Sequence, residues 1–314
     1  MNRHGLFLIM FAFTVLSGCR ATAQQGGTSS EASLGLVYYS DYFSFTGRDD
    51  HGYVAFAIDN NRGKDGDTYQ AEHFLVLHDE QEGWGGLLGN GRYENRNREL
   101  KRIPDSSYFR FSGSAAEGFV IKSRKNDLTL RTGAMITRIS RSGKEGLYEM
   151  GSSDAVLEWK GRTIRGRVIY EYLYKPGFNR LTRGAVGVFK DFHGLYLMIN
   201  GTGDLYFHHR KSRPSSITLN QDGFLVLNGK TIILPFAEVR ASKYRQGFGF
   251  YRWPIRWEGK INLGGKRASI YVDTSEFKVI KGWIIGGFAM SIVHGTLEVE
   301  GKQYSLYGFA ELII

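Results

Sequence analysis

The sequence predicts an all-β protein made of two tandem antiparallel β-barrels or sandwiches, and three observations carry that reading. Short runs rich in aromatic and β-branched residues recur at 53–58, 74–77, 119–122, 128–131, 155–159, 163–173, 195–199 and 224–227. Turn signals separate them: Asp49-Asp50-His51-Gly52, Lys64-Asp65-Gly66-Asp67, Asn90-Gly91, Lys160-Gly161, Asn228-Gly229, Gly264-Gly265 and Glu300-Gly301. A repeat then appears at a constant offset. Residues 157–171 (LEWKGRTIRGRVIYE) and 297–311 (LEVEGKQYSLYGFAE) match at Leu157/Leu297, Glu158/Glu298, Gly161/Gly301 and Glu171/Glu311, 140 residues apart.

Composition agrees with this. Hydrophobic residues make up 42% of the chain and aromatics 14%, enough for a packed core and inconsistent with a disordered chain. The 41 glycines in 314 residues are nearly twice the usual ~7%, and with no collagen period they belong to turns, bulges and close approaches. No helix-period segment with convincing caps stands out.

The N-terminus reads as an address. Met1-Asn2-Arg3-His4 precedes an apolar run to Leu16, shorter than the ~20 residues of a spanning helix, and Leu16-Ser17-Gly18-Cys19 follows. This is similar to a bacterial lipobox, which makes 1–18 a lipoprotein signal peptide and Cys19 a lipidated membrane anchor. The chain has only this one cysteine, which rules out an intramolecular disulfide and a Cys-based zinc site. Arg20 in the next position implies outer-membrane retention facing the periplasm in a cell with two membranes, so the expected location is the bacterial cell envelope. Residues 19–33 are small and polar and read as a flexible tether.

The body divides into a first β domain at 34–175 and a second at 176–314, with Lys175-Pro176-Gly177 as the hinge. Gly52-Tyr53-Val54-Ala55-Phe56 and Gly194-Leu195-Tyr196-Leu197-Met198 are read as equivalent strands at an offset of 142.

The formal charge is +10, and it falls to +9 when the signal peptide removes Arg3. Cations cluster at Arg92, Arg96, Arg98, Lys101 and Arg102, at Arg180 and Arg183, and at Arg210, Lys211 and Arg213. On an exported lipoprotein these face anionic headgroups or simply aid solubility, so no nucleic-acid partner is expected. Neighbouring histidines, His208-His209 and the pair His73/His78, differ in strand parity and point to opposite faces, so no metal site and no cofactor are expected. No nucleophile elbow or phosphate loop occurs. Nothing in the sequence fixes an oligomeric state.

The remaining chemistry lies in acids beside aromatics. Glu171, Glu311 and Glu72 are candidate catalytic carboxylates, and Trp84, Tyr93, Trp253 and Trp257 are candidate ligand-binding residues. A small barrel has a lining that alternates along each strand, so an inward carboxylate among apolar walls is geometrically natural. Such a group could protonate an olefin or enol. Each acid could instead hold the barrel closed through a neighbouring Arg167 or Arg240, and each tryptophan could be core packing.

The chain resembles the lipocalin-like family of carotenoid 1,2-hydratases, tocopherol-cyclase-like proteins and AttH proteins, built from tandem calycin barrels. The resemblance rests on Tyr42-Phe43-Ser44-Phe45-Thr46-Gly47 with Gly52-Tyr53-Val54-Ala55-Phe56, and on the closing Gly308-Phe309-Ala310-Glu311. It implies two lipocalin-like barrels over about 34–314. The hydratase-type Asp-His-Asn-Trp stretch is missing, and Gly247–Trp253 stands where it is expected. Three functions therefore stay open. The chain is a membrane-anchored carrier of a hydrophobic small molecule or lipid, an acid-catalysed hydratase, cyclase or isomerase acting on an isoprenoid-like substrate, or an envelope scaffold.

Overall fold

All but one of the turn signals picked out above join consecutive strands. The structure, a computed structural model, describes residues 35–85, 89–95, 99–143, 146–178, 189–212, 222–235, 238–247, 251–283 and 286–314. The signal peptide, the tether and Cys19 lie outside them.

The first sheet contains β1 (Val37–Asp49), β2 (Gly52–Asp65), β3 (Thr68–Asp79), β4 (Gly83–Trp84), β5 (Gly89–Glu94), β6 (Arg110–Ser114), β7 (Gly118–Ser123), β8 (Leu128–Thr132), β9 (Ile136–Gly143), β10 (Gly146–Trp159) and β11 (Arg162–Pro176). The second contains β12 (Phe189–Ile199), β13 (Gly203–Ser212), β14 (Asp222–Leu227), β15 (Lys230–Pro235), β16 (Glu238–Gln246), β17 (Arg252–Leu263), β18 (Lys266–Trp283), β19 (Gly286–Val299) and β20 (Lys302–Ile313). The predicted all-β class is what the structure has, as two antiparallel sheets in tandem, and residues 34–314 form one compact unit.

The two sheets share a plan. The first runs β4-β3-β2-β1-β11-β10-β8-β7-β6 and the second β15-β14-β13-β12-β20-β19-β18-β17-β16. In each, the opening strand sits between its hairpin partner and the closing strand: β1 between β2 and β11, β12 between β13 and β20. The repeated hairpin is β10–β11 in one sheet and β19–β20 in the other. Lys160 and Gly161 turn at φ 49° and 75°, and Glu300 and Gly301 at φ 50° and 82°, the doubly positive backbone of a type I′ turn. That geometry explains the glycine at the same place in both copies.

Two expectations are corrected. Gly52–Phe56 opens β2, whereas Gly194–Met198 lies in β12, the counterpart of β1. The residue that matches Gly52 is Gly203, at the start of β13. Asn90-Gly91 is not a turn but part of β5, where Asn90 and Gly91 pair with Phe74 and His73.

Alternation sorts the side chains into three layers. One face of the first sheet buries Phe43, Phe45, Phe56, Leu77, Leu157 and Val168 in its own core. One face of the second buries Leu195, Leu197, Trp253, Trp257, Leu306 and Leu312. The opposite faces meet in a third cluster drawn from both sheets, with Tyr42, Met150 and Ile169 from the first and Tyr196, Met290 and Phe309 from the second. This seam holds the candidate site.

Candidate functional site

Glu171 and Glu311 occupy matching places. Glu171 on β11 lies between Tyr42 of β1 and Met150 of β10, and Glu311 on β20 lies between Gly194 of β12 and Met290 of β19. The expectation of carboxylates pointing into a barrel interior is corrected here. On β11 the barrel-facing positions are Val168 and Tyr170, and on β20 they are Ala310 and Leu312, so both acids share the other face and enter the seam. Close strand packing is needed to bring them there. A Cβ on Gly308 would lie 2.1 Å from the Tyr196 carbonyl oxygen, so only glycine lets β20 approach β12 at this level.

The two carboxylates converge on one phenol. The Tyr196 hydroxyl donates to Glu171 Oε2 at 3.2 Å and stands 3.5 Å from Glu311 Oε2. It has one proton and serves one acid at a time. Glu171 is half-buried, whereas Glu311 is 8% exposed, so Glu171 is the carboxylate nearer to solvent. Tyr42 lies against Tyr196 with ring centroids 4.9 Å apart. Tyr206 stands 2.9 Å from His208 Nδ1 and 3.4 Å from the Tyr148 hydroxyl. Burial, followed by the fields of Glu311, Asp59 and Glu171, pushes Tyr42 well up. Burial with Glu171 beside it does the same to Tyr196. Both phenols stay protonated as neutral donors in an otherwise apolar layer.

The other predicted residues scatter. Glu72 on β3 shares the seam-facing parity of Phe74 and pairs across strands with Asn61. Trp84 packs at the seam, 6.0 Å from Phe309. Trp253 and Trp257 are each 1% exposed inside the second core and act as packing. The side chain of Tyr93 lies outside the described residues, as do those of Arg92, Arg96, Arg98, Arg180, Arg183, Arg210, Lys211 and Arg213. Arg167 does not pair with Glu171. Its guanidinium crosses the seam to Asp204, with Nε–Oδ1 2.9 Å and Nη2–Oδ2 2.6 Å, and also meets Asp154.

Sequence reasoning missed a buried polar cluster inside the first core. Asp41 accepts from Tyr170 at 2.5 Å and pairs with Arg62 at 2.6 Å. Arg62 also donates to Asn60 Oδ1 at 3.0 Å and to the Leu100 carbonyl at 2.7 Å. Asn60 meets His73, which packs against Phe109 and Phe111. Burial and the nearby Arg62 cation push His73 down to about 3, so its imidazole is neutral. The available signal was parity: Asp41 shares a strand face with Phe43 and Phe45, as Asn60 and Arg62 do with Phe56 and Ile58. Among the described residues no group of three or more His, Cys, Asp or Glu is placed to hold a metal ion.

No family model matches the chain, and no curated protein sequence matches it. Solved structures do share its fold. An AttH-like protein from Nitrosomonas europaea is 10% identical with a TM-score of 0.51, over 93% of this chain and 98% of that one. CghA is 10% identical with a TM-score of 0.53, over 92% and 93%. Kievitone hydratase from Nectria haematococca is 11% identical with a TM-score of 0.50, over 93% and 94%. At such identities the likeness is one of fold, and it agrees with the two lipocalin-like barrels the sequence implied.

Proposed function

We propose that the chain is an acid–base enzyme that hydrates, cyclises or isomerises a hydrophobic, isoprenoid-like substrate at the seam between its sheets. The observation that carries this is the convergence of Glu171 and Glu311 on the Tyr196 hydroxyl within an apolar layer. Sharing a fold with a protein named as a hydratase adds fold-level support.

In this reading Glu171, as the carboxylic acid, donates its proton to an olefin carbon, and the π pair becomes the new C–H bond. Tyr196, held neutral, hydrogen-bonds the carboxylate left behind. Water then adds to the cation and returns a proton to that carboxylate, so the net change is addition of H₂O. Intramolecular capture of the cation gives cyclisation, and proton loss gives isomerisation. General acid–base transfer of this kind is worth roughly 10²–10⁴-fold in rate. The test is to incubate the full chain with prenylated phenols and polyenes in H₂¹⁸O and D₂O. Uptake of label supports the reading, and no uptake above a boiled control contradicts it.

Carriage of a hydrophobic molecule is the second reading. A cavity of about 1140 Å³ at one end of the second sheet, walled in part by Ile232, Leu234, Ile261 and Ala268, favours it. Native mass spectrometry of the purified chain tests it, a co-purified lipid being the supporting result. In either reading Cys19 holds the protein at the envelope membrane. Palmitate labelling that is lost in Cys19→Ala supports that anchor, and an unlabelled wild type contradicts it.

A further inference from the structure

A second concave site lies on the first sheet, away from the seam. A cavity of about 580 Å³ is formed by the 105–108 turn, β6 and β7, and the short 3₁₀ helix Arg124–Asn126. Its wall carries four cations, Arg110, Lys122, Arg124 and Lys125, all exposed, against one carboxylate, Asp105. Asp105 is already engaged, accepting the Phe111 N–H at 3.0 Å. Among the described residues none of the four cations is in an ion pair. Lys125 lies over the Tyr108 ring at 4.9 Å.

The register makes the arrangement unusual. Arg110 stands directly opposite Lys122 in the β6–β7 ladder. Like charges facing each other across strands destabilise a sheet, and a sequence optimised for folding alone would place an acid at one of the two positions. Ser107 and Ser112 add hydroxyl donors to the same wall. Guanidinium, ammonium and hydroxyl groups around a cavity of small-molecule size form the donor set for a phosphate oxyanion.

We propose that this cavity binds a phosphate-bearing ligand, whose anionic oxygens bridge Arg110 and Lys122. The phosphate can come from a phospholipid headgroup or from a soluble phosphate compound, and the test separates them. The full chain carrying Cys19→Ala, so that no acyl anchor contributes, is sedimented with phosphatidylcholine vesicles and with vesicles containing 30% phosphatidylglycerol. In parallel it is titrated with inorganic phosphate by calorimetry. At least tenfold tighter binding to the phosphatidylglycerol vesicles, with no saturable binding of inorganic phosphate in the calorimeter, identifies a lipid headgroup. Saturable binding of inorganic phosphate itself identifies the soluble source.

Arg110→Glu places an acid opposite Lys122. It is expected to weaken binding at least tenfold while leaving the unfolding midpoint unchanged or higher. The single variant Arg252→Glu, on an exposed cation elsewhere that faces the neutral Gln246 across the ladder, controls for net charge. Failure of both probes to bind, or a loss in the control as large as in Arg110→Glu, overturns the proposal.

Discussion

Tyr196 belongs to the second sheet, and its hydroxyl donates to Glu171 of the first at 3.2 Å. That bond, with Glu311 Oε2 3.5 Å from the same hydroxyl, places matching strands of the two sheets around one shared proton donor. The site therefore exists only when both sheets are folded and docked.

The Arg167–Asp204 pair is the polar clamp of the seam. Asp204 is fully buried and Arg167 only 10% exposed. Arg167→Met leaves Asp204 without its bidentate cation, and removing one partner of a buried pair costs about 3–5 kcal/mol. Urea unfolding is expected to show a loss of that order. The double variant Arg167→Met/Asp204→Leu is expected to recover much of it, because no buried carboxylate is left without its guanidinium partner.

Gly161 and Gly301 close equivalent hairpins at φ 75° and 82°. An alanine at either position must adopt a left-handed backbone at about 1–2 kcal/mol. Gly161→Ala and Gly301→Ala are expected to lower thermal stability by similar amounts. A cost at only one of them would show that the two turns are not equivalent.

His73 sets part of the acid response. Its folded value is about 3, below the ordinary 6.5, because of burial and then the Arg62 cation. Below pH 6.5 the unfolded chain takes up a proton that the folded chain refuses. Its contribution to stability is therefore present above about 6.5 and falls as pH drops toward 3, by at most ~1.4 kcal/mol per unit. His73→Gln removes this component. Denaturation measured from pH 7 to 4 is expected to give a shallower slope for the variant than for the wild type.

Trp253 fills the second core, against Tyr251 and Phe277 at centroid distances of 5.2 and 5.5 Å. Trp253→Ala is expected to cost about 3–5 kcal/mol and to leave seam chemistry intact in the fraction that remains folded. A selective loss of ligand binding in a stably folded variant would instead make Trp253 a ligand contact.

Much of the fold was legible because turns and strand composition are local. Lys160-Gly161 and Glu300-Gly301 announced their hairpins, and Glu171 and Glu311 stood out by recurring in register. Their direction was not legible. Ile169 and Tyr170 are both buried, one toward the seam and the other toward the first core, so apolar alternation cannot tell the faces apart. The Asp41–Arg62–His73 cluster stayed hidden because its members come from three strands and meet only through pairing across β1, β2 and β3. Asn90-Gly91 misled because a strong turn dipeptide was overridden by its ladder to His73 and Phe74.

The central claim is that Glu171 transfers the proton, with Tyr196 as its partner, and the label-uptake assay with substituted chains tests it most directly. Glu171→Gln is expected to slow ¹⁸O or deuterium incorporation at least ~100-fold, and Tyr196→Phe by a smaller factor, with unfolding midpoints near that of the wild type. Incorporation by Glu171→Gln at the wild-type rate would contradict the account.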